Sequence, residues 1–180
     1  GMMSDDLRYD ARWRYWAARA KQAVGDAGQA RSEFEQLALE ANFYGFMAAD
    51  RVDMPYTICP EVPAVDEQDI AALNAEDGIQ RALELRRAGI PNWARAEWST
   101  VSRGLDRQGL RTAAALATRE NWPDMAIFAL GNSGDLRWYE WRFPVTYGPL
   151  VESNAGSRNL DSSWVLGLMR SESAMAEDAI

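Results

Sequence analysis

The sequence predicts an all-α protein built from stacked helical hairpins, in the manner of superhelical or solenoid-like scaffolds. Apolar residues recur at spacings of three and four along almost the whole chain. Glycine and proline interrupt this pattern at short intervals, as expected between short helices. Alternating runs of β-branched residues, which are typical of strands, do not occur in the sequence. We therefore expect residues 5–131 to be more than half helical and to contain no sheet, although no fixed repeat period identifies a standard array.

The first helical hairpin is predicted near the start of the chain. A helix from Asp5 to about Val24 is followed by a turn at Gly25 and Gly28 and then by a second helix. The face of the first helix expected to be buried comprises Tyr9, Trp13, Trp16, Ala17, Ala20 and Val24. The second helix is expected to bury Phe34, Leu37, Ala38 and Ala41.

A linker is predicted at residues 54–65, where three prolines fall close together. This segment places a domain boundary near residue 63. Cys59, the single cysteine of the chain, lies within the linker and cannot form an internal disulfide. We interpret it as a small hydrophobic residue.

Short helices are predicted through residues 63–134. The stretch EDGIQRALELRRAG predicts a helix that ends at Gly89, and Pro91 and Pro123 each stand where a further helix begins. The expected core positions are Ile79, Ala82, Leu83, Ala94, Trp98, Val101, Leu105, Leu110, Ala113, Ala114, Ala117, Ile127 and Leu130. Residues 135–160 are expected to be an irregular connector, because two prolines and two glycines lie close together there.

The last helix is predicted to begin after Asp161, which stands at the position of an N-cap. Its sequence, WVLGLMRSESAMAEDAI, places Glu172 within an otherwise apolar stripe. The other members of that stripe are Val165, Leu168, Met169, Met175 and Ala176. An apolar setting raises the pKa of a carboxyl group, so the pattern indicates a possible catalytic acid. A surface glutamate on a terminal helix is the simpler interpretation.

The composition excludes several classes of function. The chain has a net charge of −8 and a pI near 4.6, so it offers no cationic surface to nucleic acid or to an anionic membrane. It contains no histidine, which excludes Ser-His-Asp and Cys-His nucleophile systems and histidine metal ligands. Any catalysis must therefore use carboxylates, and no metal or other cofactor is expected. Eight tryptophans suit inter-helix packing better than a sugar-stacking surface.

Neither a signal peptide nor a membrane-spanning run is found in the sequence, and Gly1 before Met2 is consistent with a remnant of expression.

Three groups of motifs resemble parts of the soluble lytic murein transglycosylases, in the order of that family. YWAARA and FYGFMAADR are similar to the end of the family's superhelical U domain. RALELRRAG and ARAEW resemble its small helical L domain. WRFPVTYGPLV followed by WVLGLMRSESA resembles the lead-in and first motif of its catalytic domain, which is similar to goose-type lysozyme. The family has Arg-Gln before its Glu-Ser pair, whereas this chain has Arg170 and Ser171.

The resemblance implies a domain organisation and a reaction. Residues 4–62 would be the end of the U-type scaffold, 63–134 the L-type linker domain, 135–160 the connector, and 161–180 the first helix of a lysozyme-like domain that is truncated here. Glu172 would be the catalytic acid and then base, and Ser173 would contact substrate. The substrate would be peptidoglycan glycan strands, cleaved to 1,6-anhydro products in the periplasm. Later family motifs, Gly-Leu-Met-Gln and Ala-Tyr-Asn, do not follow in this sequence.

Two alternatives remain open from the sequence. The chain could be a non-catalytic helical scaffold that binds a protein partner. It could also be an independent carboxylate enzyme, which would need a second acid beside Glu172. Glu177 and Asp178 are the only nearby acids in sequence, and their spacing from Glu172 puts them mostly on other helix faces.

Overall fold

All regular secondary structure in the described part of the chain is helical. The computed structural model describes residues 10–58, 61, 63–176 and 178. The helices are α1 Ala11–Ala23, α2 Ala27–Leu37, α3 Phe43–Val52, α4 Glu67–Asn74, α5 Asp77–Arg87, α6 Pro91–Ser102, α7 Arg107–Arg119, α8 Pro123–Ser133, α9 Tyr139–Arg142, α10 Gly148–Gly156 and α11 Ser162–Ser173. The predicted all-α fold is confirmed. The chain divides into two compact units, Gly1–Pro60 and Glu61–Ile180.

The first unit is a cluster of α1, α2 and α3 around one aromatic and alanine-rich core. Tyr15 lies at its centre, with its ring centroid 5.6 Å from that of Phe34 and 5.8 Å from that of Tyr44. The buried members of this core are Tyr15, Ala18, Ala30, Phe34, Leu37, Ala38, Ala48, Ala49 and Val52. The prediction for α2 is confirmed except at Ala41, which is partly exposed.

The predicted buried face of α1 is wrong at its described residues, while Tyr9, also assigned to that face, lies outside them. Trp13 and Trp16 are 40% and 50% exposed, and Val24 is 82% exposed, whereas Tyr15 and Ala18 face the core. This helix has apolar residues around most of its circumference, so spacing alone fits two faces equally well. Arg12 lies over the Trp13 ring and Arg19 over the Trp16 ring, which shields part of the exposed indole surface.

The corner between α2 and α3 depends on Gly45. A Cβ atom at this position would lie 2.0 Å from the carbonyl oxygen of Glu40 and 2.9 Å from that of Leu37. The Asn42 side chain caps α3 by accepting a hydrogen bond of 2.9 Å from the Gly45 amide. The close approach of backbone to backbone therefore requires glycine at this corner.

The second unit contains two tightly paired hairpins, α5 with α6 and α7 with α8. Trp98 of α6 is buried against Trp122, with ring centroids 5.1 Å apart in an edge-to-face arrangement. Most of the predicted core positions are buried as expected, whereas Val101, Leu105 and Leu110 are only partly buried. The end of α5 is also confirmed, because Gly89 adopts a φ of 73° directly after it.

Asp135 is a charged residue within the second unit and is 4% exposed. Its carboxylate accepts hydrogen bonds of 2.6 and 2.8 Å from Arg111 and one of 2.9 Å from Arg107. The Arg111 guanidinium is the main cause that holds the pKa of Asp135 far below its usual range. The buried charge is therefore compensated by two cations from α7.

The segment 135–160 differs from its prediction. It contains the short helix α9 and the nine-residue helix α10, although Pro144, Gly148 and Pro149 led us to expect irregular structure. Pro149 lies in the first turn of α10, where its missing amide hydrogen costs nothing. The eight-residue helix α4 was not predicted from the sequence. Cys59, predicted to be a small hydrophobic residue of the linker, lies outside the described residues. None of the described helices is long and apolar enough to cross a membrane.

Candidate active site

The candidate acid lies on α11, whose start follows the sequence prediction. The Asp161 side chain accepts hydrogen bonds from the backbone amides of Ser163, at 2.7 Å, and Trp164, at 3.1 Å. These amide donors lower the pKa of the Asp161 carboxyl. The helix ends at Ser173. Glu172 is therefore in its last turn.

Glu172 is exposed to solvent, and no described residue donates a hydrogen bond to it or pairs with it. The neighbouring Ser173 is partly buried, and its hydroxyl donates a hydrogen bond of 2.8 Å to the carbonyl oxygen of Met169. That hydroxyl is therefore engaged by the backbone of its own helix in this structure.

The predicted apolar stripe around Glu172 is only partly formed. The helix stops before Met175, because Ala174 and Met175 adopt left-handed φ angles of 49° and 66°. Met175 therefore turns away from the helix and is buried at 2% exposure. Leu168 remains on the helix but is 46% exposed. In the described residues this stripe therefore does not enclose Glu172 in an apolar wall.

Two sets of contacts hold α11 against the rest of the second unit. The Arg170 Nε donates a hydrogen bond of 2.7 Å to the carbonyl oxygen of Arg142, at the end of α9. Burial lowers the pKa of both guanidinium groups, and both lie over the ring of Phe143. Met175 packs with Ile127 of α8 in a small apolar cluster. The helix therefore docks on the elements that precede it in sequence.

An open groove of about 820 Å³ lies between α10 and α11. Its lining is mostly apolar, with polar groups from Tyr147, Asn154 and Arg158. The apolar lining residues are Leu150, Val151, Ala155, Leu160, Val165, Met169, Met175 and Ala176. Glu172 is not among the lining residues, although Val165 and Met169 of the same helical stripe are.

Comparison with known proteins finds similarity to one family. Residues 72–135 match the family model described as the soluble lytic murein transglycosylase L domain. The chain is 25% identical over 162 residues to the soluble lytic murein transglycosylase of Escherichia coli K12, covering 90% of this chain and 25% of that protein. The chain is therefore similar to part of the soluble lytic murein transglycosylases, including their L domain.

Solved structures of the family have the same fold. An inactive mutant of lytic transglycosylase Slt from Pseudomonas aeruginosa superposes with a TM-score of 0.90 at 31% identity, over 98% of this chain and 29% of that one. The 70-kDa soluble lytic transglycosylase in complex with bulgecin A gives a TM-score of 0.81 at 25% identity, over 96% and 28%. The chain thus spans about a quarter of the length of these transglycosylases.

Glu177 and Asp178 follow Glu172 in the sequence and are the candidates for a second carboxylate beside it. Glu177 lies outside the described residues. Asp178 is bound by Arg95, whose guanidinium lowers the pKa of the Asp178 carboxyl and so favours its ionised form. No group of three or more Asp, Glu or Cys side chains in the described residues could hold a metal ion. Of the two acids that the structure describes here, Asp178 has an ion-pair partner and Glu172 has none among the described residues.

Sequence reasoning missed Arg95 and Arg142 as neighbours of this region. Arg95 is 83 residues from Asp178 in the chain, and Arg142 is 28 residues from Arg170. Helical spacing gives information only over three or four residues, so no local signal connects these pairs.

Proposed function

We propose that this chain is part of a lytic transglycosylase that cleaves the β-1,4 bond between N-acetylmuramic acid and N-acetylglucosamine, with Glu172 as its catalytic residue. The observation that carries the proposal is the order of two features. A segment matching the transglycosylase L domain, residues 72–135, is followed by a Glu-Ser pair at the end of a capped helix. The matched relative from Pseudomonas aeruginosa supports it, because replacing one glutamate by glutamine accompanies loss of activity in that enzyme.

The domain assignments follow the same proposal. Residues 4–62 are the end of a helical U-type scaffold, 63–134 an L-type linker domain, and 161–180 the start of a lysozyme-like domain. Residues 135–160 connect the last two. The substrate would be peptidoglycan, and this implies a location in the periplasm.

One glutamate is sufficient for this reaction. Its carboxylic acid first protonates the oxygen of the leaving sugar, which breaks the glycosidic bond. The resulting carboxylate then accepts the proton of the 6-hydroxyl of the muramic acid residue, whose oxygen bonds to the anomeric carbon and closes the 1,6-anhydro ring. No water is consumed, so the second carboxylate of an ordinary hydrolase is not needed. Ser173 is the candidate substrate contact, once its hydroxyl leaves the Met169 carbonyl.

The exposed position of Glu172 has a direct consequence for the 180-residue chain. General acid catalysis near neutral pH needs a carboxyl group in an apolar, enclosed setting, together with groups that hold the substrate in place. Here Glu172 is exposed and lacks a described partner. We therefore expect the chain alone to release no anhydromuropeptides, whereas a protein extended through the later family motifs does so.

The test is Glu172→Gln in the extended protein, assayed with purified peptidoglycan and mass spectrometry of released 1,6-anhydromuropeptides. Glutamine keeps the shape of the side chain but cannot transfer a proton, so turnover should fall by about 10²–10⁴-fold. Glu152→Gln is the matched control, because Glu152 is an exposed glutamate of the neighbouring helix α10. Turnover retained within about tenfold in Glu172→Gln would assign the chemistry to another residue.

A further inference from the structure

The chain reverses direction directly after the Glu172–Ser173 pair, through two left-handed residues. Ala174 and Met175 have φ angles of 49° and 66°, and neither is glycine. Non-glycine residues rarely adopt this conformation, and two in succession persist only where surrounding contacts hold them. Neither residue is polar, so neither gains the local side-chain hydrogen bonds that favour this conformation for Asn and Asp.

A different conformation is available to the same residues. Met175 and Ala176 stand three and four positions after Glu172, so the apolar spacing of α11 favours a helix that continues past Ser173. Ala174, Met175 and Ala176 all have good intrinsic helix propensity. In a continued helix Glu172 would lie one turn inside the helix instead of in its last turn. The contacts made by the residues after Ser173 therefore determine whether Glu172 lies in the last turn of its helix or one turn inside a longer helix.

Two anchors hold the reversed conformation. The first is Met175, which is 2% exposed and packs against Ile127 of α8. The second is Asp178, whose carboxylate is bound by both terminal nitrogens of Arg95, with 2.8 Å between Nη1 and Oδ2. A carboxylate gripped at both oxygens is fixed in orientation as well as in distance. A continued helix would move both Met175 and Asp178 from these positions.

Arg95 is also held in place by a second carboxylate, that of Asp124. Its Nε donates a hydrogen bond of 2.8 Å to Asp124, which is 2% exposed in the first turn of α8. Arg95 and Asp124 line a cavity of about 390 Å³ between α6 and α8, together with Trp122, Pro123 and Met175. The guanidinium thus presents its two free nitrogens from a fixed position, which lowers the conformational entropy lost on binding Asp178.

We infer that Arg95 is a positioning residue for Glu172: by binding Asp178, it holds the turn at Ala174 and Met175 and so keeps Glu172 in the last turn of α11. The role of Arg95 in holding this turn does not depend on any function of Glu172. The effect on catalysis rests on the proposed function. Arg95 belongs to the 72–135 segment, so the L-type domain controls the geometry of the candidate acid through this contact.

The first test uses Asp178→Ala in the 180-residue chain. This change removes one anchor without exposing the buried Asp124 charge, which Arg95→Ala would leave unpaired. We expect the Cα chemical shifts of Ala174 and Met175 to move toward helical values, and the nuclear Overhauser contacts between Met175 and Ile127 to be lost. Glu97→Ala is the control. Glu97 lies on the same helix as Arg95, and its loss breaks only the exposed ion pair with Arg81 of α5. Unchanged shifts in Asp178→Ala would overturn the inference.

A rescue variant distinguishes loss of the turn from a general destabilisation of the chain. Glycine adopts a positive φ without the steric cost of a Cβ atom, so Ala174→Gly should restore the turn in the Asp178→Ala background. The Met175–Ile127 contacts should then return. If Met175 has helical chemical shifts in the variant that combines Asp178→Ala with Ala174→Gly, another contact selects the turn. That result would overturn the role of Arg95.

The second test measures turnover in the extended protein. Displacing Glu172 without touching the substrate should lower kcat by about 10-fold to 100-fold and leave KM nearly unchanged, and Ala174→Gly should restore kcat. Unchanged kcat in Asp178→Ala, with the turn lost by NMR, would refute the positioning role. Absence of lytic products from the unmodified extended protein would instead refute the proposed function, since the NMR result does not depend on activity.

Discussion

Two regions of the second unit differ sharply in how they are held together. In the α5–α8 region, Ile79, Ala94 and Leu130 are completely buried, and Trp98 packs edge-to-face on Trp122. In the α10–α11 region, no residue of α11 is fully buried, and an open apolar groove separates the two helices. The first region can stabilise itself by burial of apolar area, at roughly 25 cal/mol per Å². The second depends on a small number of contacts.

The residues that stabilise the second unit and the residue proposed for the chemistry therefore lie in different regions. The segment that matches the L domain contains the dense core, whereas Glu172 lies where side chains are exposed and contacts are few. Low local contact density is typical of elements that move or that complete a binding site with further structure. Substitutions in the two regions should therefore affect different properties, folding in the first and the position of α11 in the second.

The largest effect is expected for Trp98→Ala. Loss of a buried tryptophan removes its transfer free energy and leaves a cavity, which together cost about 3–5 kcal/mol of unfolding free energy. Trp164→Ala is the matched control in the other region, because Trp164 is 61% exposed on α11 and its loss should change stability by no more than about 0.5 kcal/mol. Urea denaturation followed by far-UV circular dichroism measures both. Equal losses would show that α11 contributes as much to folding as the core does.

An intermediate effect is expected for Asp135→Asn. Asparagine cannot keep the charge-assisted hydrogen bonds to Arg107 and Arg111, so the unfolding free energy at neutral pH should fall by about 1–3 kcal/mol. The pKa of Asp135 is lowered in the folded state from its ordinary value of 3.8. Its contribution is therefore complete at pH values well above 3.8 and is lost as the pH falls through and below that value.

The measurement for Asp135 is the difference in unfolding free energy between the unmodified chain and Asp135→Asn across this pH range. The difference should shrink as the pH falls, since the proton that binds the unfolded carboxyl opposes folding only in the unmodified chain. Other carboxyl groups titrate in both proteins and cancel. A difference that stays constant with pH would mean that the ion pairs with Arg107 and Arg111 do not govern the acid sensitivity of this unit.

The smallest effect is expected for Asp161→Ala. Removing the N-cap of α11 should cost about 1 kcal/mol of local helix stability, because the Ser163 and Trp164 amides lose their acceptor. Hydrogen exchange should become faster in α11 and remain unchanged in α5–α8. Asp161→Ser is the control, as serine also caps helices. Faster exchange in both regions would show that α11 is not a separate unit of stability.

The sequence predicted the α5–α8 region well and the remaining regions less well, for identifiable reasons. Spacing at three and four, with Gly89 and Pro91 as boundaries, identified helices that have one apolar face. The same rule chose the wrong face of α1, where Tyr15 is buried and Trp16 is exposed. The choice between two apolar faces depends on the neighbouring helices. Local spacing contains no information about those neighbours.

For the candidate site, the sequence predicted a candidate acid, Glu172, but not the contacts around it. Asp161 and Glu172 were predicted from capping preference, spacing and family resemblance. The structure places Asp161 at the N-cap of α11 and Glu172 in its last turn. The end of the helix at Ser173 was not predicted, because helix propensity favours continuation. The reversal is stabilised by Ile127 and Arg95, which are distant in sequence. Tertiary contacts of this kind override local preference.

The corner at Gly45 also limits how the sequence of the first unit can diverge. An added Cβ would meet backbone oxygens of Glu40 and Leu37, which cannot move without opening the α2–α3 corner. Gly28 and Gly131 are different, since no heavy atom lies within 4 Å of a Cβ placed there. Among related proteins that keep this corner, position 45 should therefore remain glycine, while positions 28 and 131 are free to accept alanine. Glycine at position 45 would thus identify relatives independently of the proposed role of Glu172.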